Sequence, residues 1–145
     1  MPLAFELRAS SPADLAFCWP IYRESMLPLT EAVTQWNEAT QQKLIEQAVG
    51  HVGTSILLAE KADAGWLQVE ETRHAVQLRH LYLVAEMRNR GLGTAFLAWM
   101  KERADRKRKD LVLEVMTNNS PARRLYERLG CKALETAGNK VTMRY

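Results

Sequence analysis

Seven residues, Arg88-Asn89-Arg90-Gly91-Leu92-Gly93-Thr94, carry the strongest chemical signal in the chain. They lie between an apolar run ending at Val84 and a stretch of helical periodicity, where the first backbone N–H groups of a helix have no intrahelical partners. Glycine at positions 91 and 93 removes side chains that would hold an anion away from those donors. The helix dipole adds partial positive charge there, and Arg88 and Arg90 add full charges. A pyrophosphate is the natural guest. Two familiar phosphate loops fail on spacing: no Gly-Lys-Ser/Thr follows four intervening residues, and the third glycine of a dinucleotide fingerprint would fall on Phe96. A plain strand-to-helix turn, with Gly91 absorbing a positive φ, is the alternative these residues leave open.

Other charged and reactive residues carry less. Arg106-Lys107-Arg108-Lys109 closes a helix, where cations are favourable, and reads as a solvated helix end. Arg123 and Arg124 stand near a helix start, where cations are unfavourable, so either an anion lies nearby or they are ordinary surface charge. His51 and His74 have no carboxylate or cysteine at ligand spacing, and no metal site is expected. Cys18 and Cys131 are too few for a disulfide framework.

The elements that must position these residues follow from period and punctuation. Ala4 to Arg8 forms a first strand. Ser10-Ser11-Pro12 with Asp14 opens a helix expected to run to Met26 and break at Pro28. A second helix is expected from Thr34 to Val49, ending at Gly50. Ser55–Glu60, Trp66–Glu70 and Val76–Val84 read as strands, with Leu81-Tyr82-Leu83-Val84 apolar on both faces, as in a central strand covered on two sides. From Gly93 to Lys107 the pattern is helical again, with Leu92, Phe96, Met100 and Ala104 recurring every four residues. Leu111–Thr117 is a strand, and Ser120-Pro121 opens a helix that Gly130 closes. Cys131–Glu135 and Val141–Tyr145 pair as a hairpin around Ala137-Gly138-Asn139. The order β-α-α-β-β-β-α-β-α-β-β specifies a mixed α/β or α+β domain with one central sheet. An exposed strand edge near Tyr145 would permit a homodimer.

At 145 residues, with no repeat or linker, the chain reads as one domain, 1–145. A net charge of +3 and a pI near 9.0 suit an anionic small ligand better than nucleic acid. No apolar run approaches the ~20 residues that span a bilayer, and Met1-Pro2-Leu3 lacks a signal-peptide pattern, so a cytoplasmic protein without membrane association is expected.

The glycine loop after a strand ending in Val84 resembles the acyl-CoA-binding motif of the GNAT superfamily of N-acetyltransferases. About thirty residues on, Asn119-Ser120-Pro121-Ala122-Arg123-Arg124-Leu125-Tyr126, then Leu129-Gly130, is similar to that family's second signature. Cys131 departs from it, standing where the family prefers a large aromatic. The resemblance implies a mostly antiparallel sheet of about seven strands with four helices, splayed between its two central strands. It implies that the backbone amides of Arg88, Asn89, Arg90, Gly91, Leu92, Gly93 and Thr94 cradle the CoA pyrophosphate. Leu83 and Val84 would pair with the pantetheine arm as an added strand, and Asn119 would hydrogen-bond it. Arg123 could meet a CoA phosphate. Tyr126 would lie near the thioester sulfur; packing against Leu125 and Leu129 is its plainer reading.

Transfer to an amine makes its own demands. A protonated amine cannot attack a thioester until a base takes a proton, and the departing thiolate is helped by an acid. Tyr126 is the candidate acid. His80, of a residue type with an unperturbed pKa of about 6.5, is the candidate base; a satisfied, partly buried histidine is the alternative, and Glu70 or Glu71 could act through water. Trp19, Tyr22 and Trp36, on the first two helices, read as core, and Tyr22, Met26 and Trp36 could also touch the acceptor. The expectation is an acetyl-CoA-dependent N-acetyltransferase acting on a small-molecule or peptide amine by direct attack in a ternary complex. A non-catalytic acyl-CoA-binding sensor or interaction module is the alternative.

Overall fold

Local chemistry sets most of the element boundaries. The computed structural model describes residues 4–145; Met1-Pro2-Leu3, read above as a start without a leader pattern, lies outside them. The strands are β1 (Glu6–Ala9), β2 (Thr54–Ala59), β3 (Ala62–Glu71), β4 (Ala75–Leu83), β5 (Asp110–Met116), β6 (Lys132–Ala137) and β7 (Lys140–Arg144). The helices are α1 (Leu15–Glu31), α2 (Glu38–Ala48), α3 (Leu92–Arg106) and α4 (Ser120–Arg128), with short 3-10 turns at Pro12–Asp14 and Ala85–Met87. All seven strands form one mixed sheet in the order β1-β2-β3-β4-β5-β7-β6. The β4–β5 pair is parallel and runs only from Ala75↔Asp110 to Leu78↔Leu113, the first four residues of β4.

Four expectations need correction. α1 does not break at Pro28 but continues to Glu31, with Pro20 and Pro28 inside it. Each proline removes one intrahelical N–H donor, yet both prolines and the residues whose carbonyls lose a partner, Ala16 and Glu24, are exposed, so water can serve there. α2 begins at Glu38 rather than Thr34, because the Asn37 side-chain oxygen accepts from the Thr40 amide at 2.9 Å and caps the helix there. Tyr145 does not follow an edge strand: β7 is paired with β5 on one side and β6 on the other. On this side of the sheet the edge is β6, exposed along its whole length. Leu81–Val84, expected to be covered on both faces, are only half-buried.

The chain divides into two compact units, residues 4–68 with 80–88, and residues 69–79 with 89–145. In the first, Cys18, Ile21 and Tyr22 of α1 pack with Ile45 and Val49, Ile56 and Trp66, and the Trp66 indole N–H donates to the Cys18 carbonyl at 3.2 Å. In the second, α3 buries the expected Leu92, Phe96, Met100 and Ala104, together with Leu97, while β5 and β7 bury Leu111, Leu113, Val141 and Met143. Among the described residues no helix is long and apolar enough to cross a membrane.

Burial pushes the Cys18 thiol up to about 12. The folded chain therefore keeps a proton that an unfolded thiol gives up near pH ~8.5. That stabilisation is complete below the unfolded value and is lost as pH rises through the folded one. The urea midpoint should fall between pH ~9 and ~12, and Cys18→Ala should flatten the fall. An unflattened fall would assign it to Tyr22 and Tyr126, which burial also raises.

Candidate active site

In the second unit, Gly91 is the N-cap of α3 with φ +83° and ψ 2°, and its carbonyl accepts from the Ala95 amide at 3.0 Å. No side chain caps this helix, so the early N–H groups of Leu92, Gly93 and Thr94 lack intrahelical acceptors. A Cβ built on Gly91 would meet nothing within 4 Å, so the ground beside these donors is open. Gly91 is thus demanded by its backbone, as an ordinary turn would demand it. Gly93 is not: it lies in the first turn of α3, outside the positive-φ region, and is half-buried. Asn89 also has a positive φ, +59°.

Asn119 is the N-cap of α4, its side-chain oxygen accepting from the Ala122 amide at 3.4 Å. The oxygen is committed to the helix, which leaves the side-chain NH2 as the group that could reach a ligand. Arg123 donates to Glu127 at 3.2 Å in a half-exposed pair one turn apart, so its charge is shared on the surface. Tyr126 lines an apolar recess with Leu97, Leu111, Leu113, Leu129 and Cys131. Desolvation there pushes its phenol up to about 12, with a smaller contribution from Cys131. A phenol in this setting stays protonated at neutral pH and can give a proton away. Cys131, the departure from the family pattern, is buried with its thiol raised, as a small apolar filler would be.

In the first unit, His80 is half-buried on β4 within a nest of rings. Trp66 lies 5.3 Å from it and tilted by 34°, and Tyr22 meets it edge-on at 6.0 Å. Its Nδ1 is 2.9 Å from the Tyr82 hydroxyl. Sequence reasoning passed over Tyr82, although the two-residue spacing on a strand puts it on the face of His80. Tyr22 is buried and its hydroxyl donates to Gln41. Met26 and Trp36 pack half-buried against the same core, and the Trp36 indole N–H donates to Glu38 at 3.0 Å. Of the residues read as core, Tyr22 is buried, while Trp19 and Trp36, like Met26, are only partly buried and keep some exposed surface.

Arg88 is placed differently from its expected role as a bare charge beside the loop. Its guanidinium donates to the Leu83 carbonyl at 3.0 Å, to Glu24 at 3.1 Å and to Ser25 at 3.3 Å. It ties the end of β4 to α1, and Glu24 offsets its charge. The Val84 amide donates to the Ala64 carbonyl at 2.8 Å, inside the sheet.

The two glutamates weighed as alternative bases are both engaged by cations in the second unit. Glu70 accepts two bonds from Arg79, at 2.8 and 3.0 Å. Glu71 accepts from Lys107 at 2.7 Å and Lys109 at 2.8 Å, which hold its carboxyl down at about 2. A carboxylate held so low is a poor proton acceptor at neutral pH. Pairing with Glu71 also draws two cations of the Arg106–Lys109 run into a surface network, the solvated helix end expected from sequence.

The model of the GNAT acetyltransferase family matches residues 13–131. No curated protein matches the chain in sequence. Among solved structures, the chain is similar to a PaiA N-acetyltransferase from Thermoplasma acidophilum in complex with coenzyme A, at 18% identity with 98% of each chain covered and a TM-score of 0.75. It is similar to Ard1 from Thermoplasma volcanium at 19% identity, covering 99% of this chain and 97% of that one, with a TM-score of 0.73. Naa50 of Arabidopsis thaliana, in complex with a bisubstrate analogue of CoA and a peptide, matches at 16% identity over 99% of each chain, with a TM-score of 0.65. At these identities the structures speak for the fold, and the family match spans well over half of the sequence, so the chain belongs to the GNAT acetyltransferase family.

Proposed function

We propose that the chain transfers an acetyl group from acetyl-CoA to the primary amine of a small molecule or a peptide, the amine attacking the thioester directly. The observation that carries this reading is the uncapped start of α3, with open ground at Gly91 and a glycine at 93 that the backbone does not require. The amides from Arg88 to Thr94 are the proposed pyrophosphate cradle. The main chain at Leu83 and Val84 and the side-chain NH2 of Asn119 are proposed for the pantetheine arm, and Arg123 for a phosphate. In the chemical step His80 takes a proton from the ammonium, the amine nitrogen bonds to the acetyl carbonyl carbon, the C–S bond breaks as Tyr126 protonates the thiolate, and the second amine proton leaves the nitrogen to restore the Tyr126 phenol, giving a neutral amide. The engagement of Glu70 and Glu71 by cations supports His80 over either glutamate as the base. Tyr22, Met26 and Trp36 are proposed for the acceptor wall, the exposed β6 edge for pairing of two copies, and the cytoplasm as the setting.

Calorimetric titration with acetyl-CoA tests the cradle. Gly93→Glu should preserve α3, because an acid in the first turn complements the dipole. It should nonetheless weaken acetyl-CoA binding by about 2 kcal/mol, roughly thirtyfold, by setting a negative charge among the donors a pyrophosphate would use. Unchanged affinity in an intact fold would return the loop to an ordinary turn. Tight binding by the wild type, with no thiol release over a broad panel of amines, would favour the sensor.

A further inference from the structure

We propose that Tyr82 is the positioning residue that fixes the tautomer of His80, its hydroxyl oxygen accepting the Nδ1–H so that the lone pair falls on Nε2. This role presupposes His80 as the base. A neutral imidazole carries one proton, and which nitrogen holds it decides which nitrogen can take another. His80 and Tyr82 stand two residues apart on β4, on one face, with Nδ1 and the phenol oxygen 2.9 Å apart. The surrounding rings hold that contact in place. Trp66, fully buried, lies 5.3 Å from both His80 and Tyr82. Tyr22 meets both edge-on, at 6.0 and 5.3 Å. Neither member of the pair can swing away without disturbing Trp66, which the Cys18 carbonyl anchors.

Two polarities of this hydrogen bond are possible, and the chemistry separates them. If the phenol donates, the proton sits on Nε2 and that nitrogen cannot act as a base. If the phenol accepts, Nε2 carries the lone pair. When Nε2 then takes a proton from the ammonium, the same Nδ1–H···O contact becomes charge-assisted and strengthens without rearrangement. A donating phenol would have to turn round during the reaction. Among the groups facing His80 in this unit are Tyr22 from α1, Trp66 from β3, which does not titrate, and Tyr82 from its own strand.

The test is a long-range nitrogen–proton NMR spectrum of the three histidines with the imidazoles neutral, with His80 assigned through His80→Gln. The expected result is a protonated Nδ1 and a bare Nε2 at His80, moving toward the Nε2–H form in Tyr82→Phe, which keeps the ring and its packing. A protonated Nε2 in the wild type, or an unchanged tautomer in Tyr82→Phe, would overturn the proposal. Thiol release from acetyl-CoA over a panel of primary amines supplies the functional arm. Tyr82→Phe should lower turnover at neutral pH about tenfold, with the KM for acetyl-CoA unchanged. If His80→Gln abolishes turnover while Tyr82→Phe leaves it intact, the positioning role fails and the base stands. If His80→Gln keeps full turnover while the tautomer responds to Tyr82→Phe, the base reading fails and the tautomer assignment stands.

Discussion

Gly65→Ala is expected to destabilise the protein by about 3 kcal/mol or more. A Cβ on Gly65 would stand 2.2 Å from the Tyr82 carbonyl oxygen, 2.9 Å from Leu83 Cδ2 and 3.1 Å from Leu83 Cα. Two of those three atoms are backbone, so no rotamer change relieves the clash. The main chain cannot simply drift apart, because the Val84 amide is bonded to the Ala64 carbonyl at 2.8 Å on the neighbouring residue. Trp66, next in sequence, is fully buried and bonded to Cys18, so the strain reaches the core of the first unit. In a domain of this size such a loss lowers the melting temperature by roughly 10 °C. Thermal and urea unfolding of Gly65→Ala beside the wild type measures it. A melting temperature within a degree of the wild type would mean that the two strands part easily here.

Gly65 also marks the boundary of what the sequence makes legible. In Ala64-Gly65-Trp66 a glycine reads only as a weak point in a strand. Its reason is the carbonyl of Tyr82, seventeen residues away, which no local pattern announces. Where the cause is local, the sequence speaks clearly. The spacing of Leu92, Phe96, Met100 and Ala104 is the burial pattern of α3, and Gly91 takes the left-handed conformation that a strand-to-helix turn requires. The candidate loop was legible for the same reason, since amides, dipole and absent side chains all lie within one turn. Arg88 was not, because its partner Glu24 lies 64 residues earlier on α1. Glu71 looked like a usable base until Lys107 and Lys109 arrived from 36 and 38 residues away. Pro28 misled because its effect depends on which side of the helix faces water, a tertiary fact.

Tyr126→Phe should reduce turnover about a hundredfold while leaving the dissociation constant for acetyl-CoA within about twofold. The substitution removes one hydroxyl and keeps the ring among Leu97, Leu111, Leu113, Leu129 and Cys131, so packing and stability should change little. What is lost is a proton held where desolvation pushes the phenol up to about 12. Such a group does not ionise before the thioester breaks, so the proton is present when the sulfur develops charge. A purely structural tyrosine predicts the opposite signature, in which stability falls and turnover per folded molecule is preserved. The acid role predicts one thing more. The deficit of the Phe variant should shrink when the acyl donor carries a more acidic thiol, because that leaving group needs less help from a proton. A deficit that is the same for acetyl-CoA and for an activated aryl thioester would remove Tyr126 as the acid, whatever its effect on the overall rate.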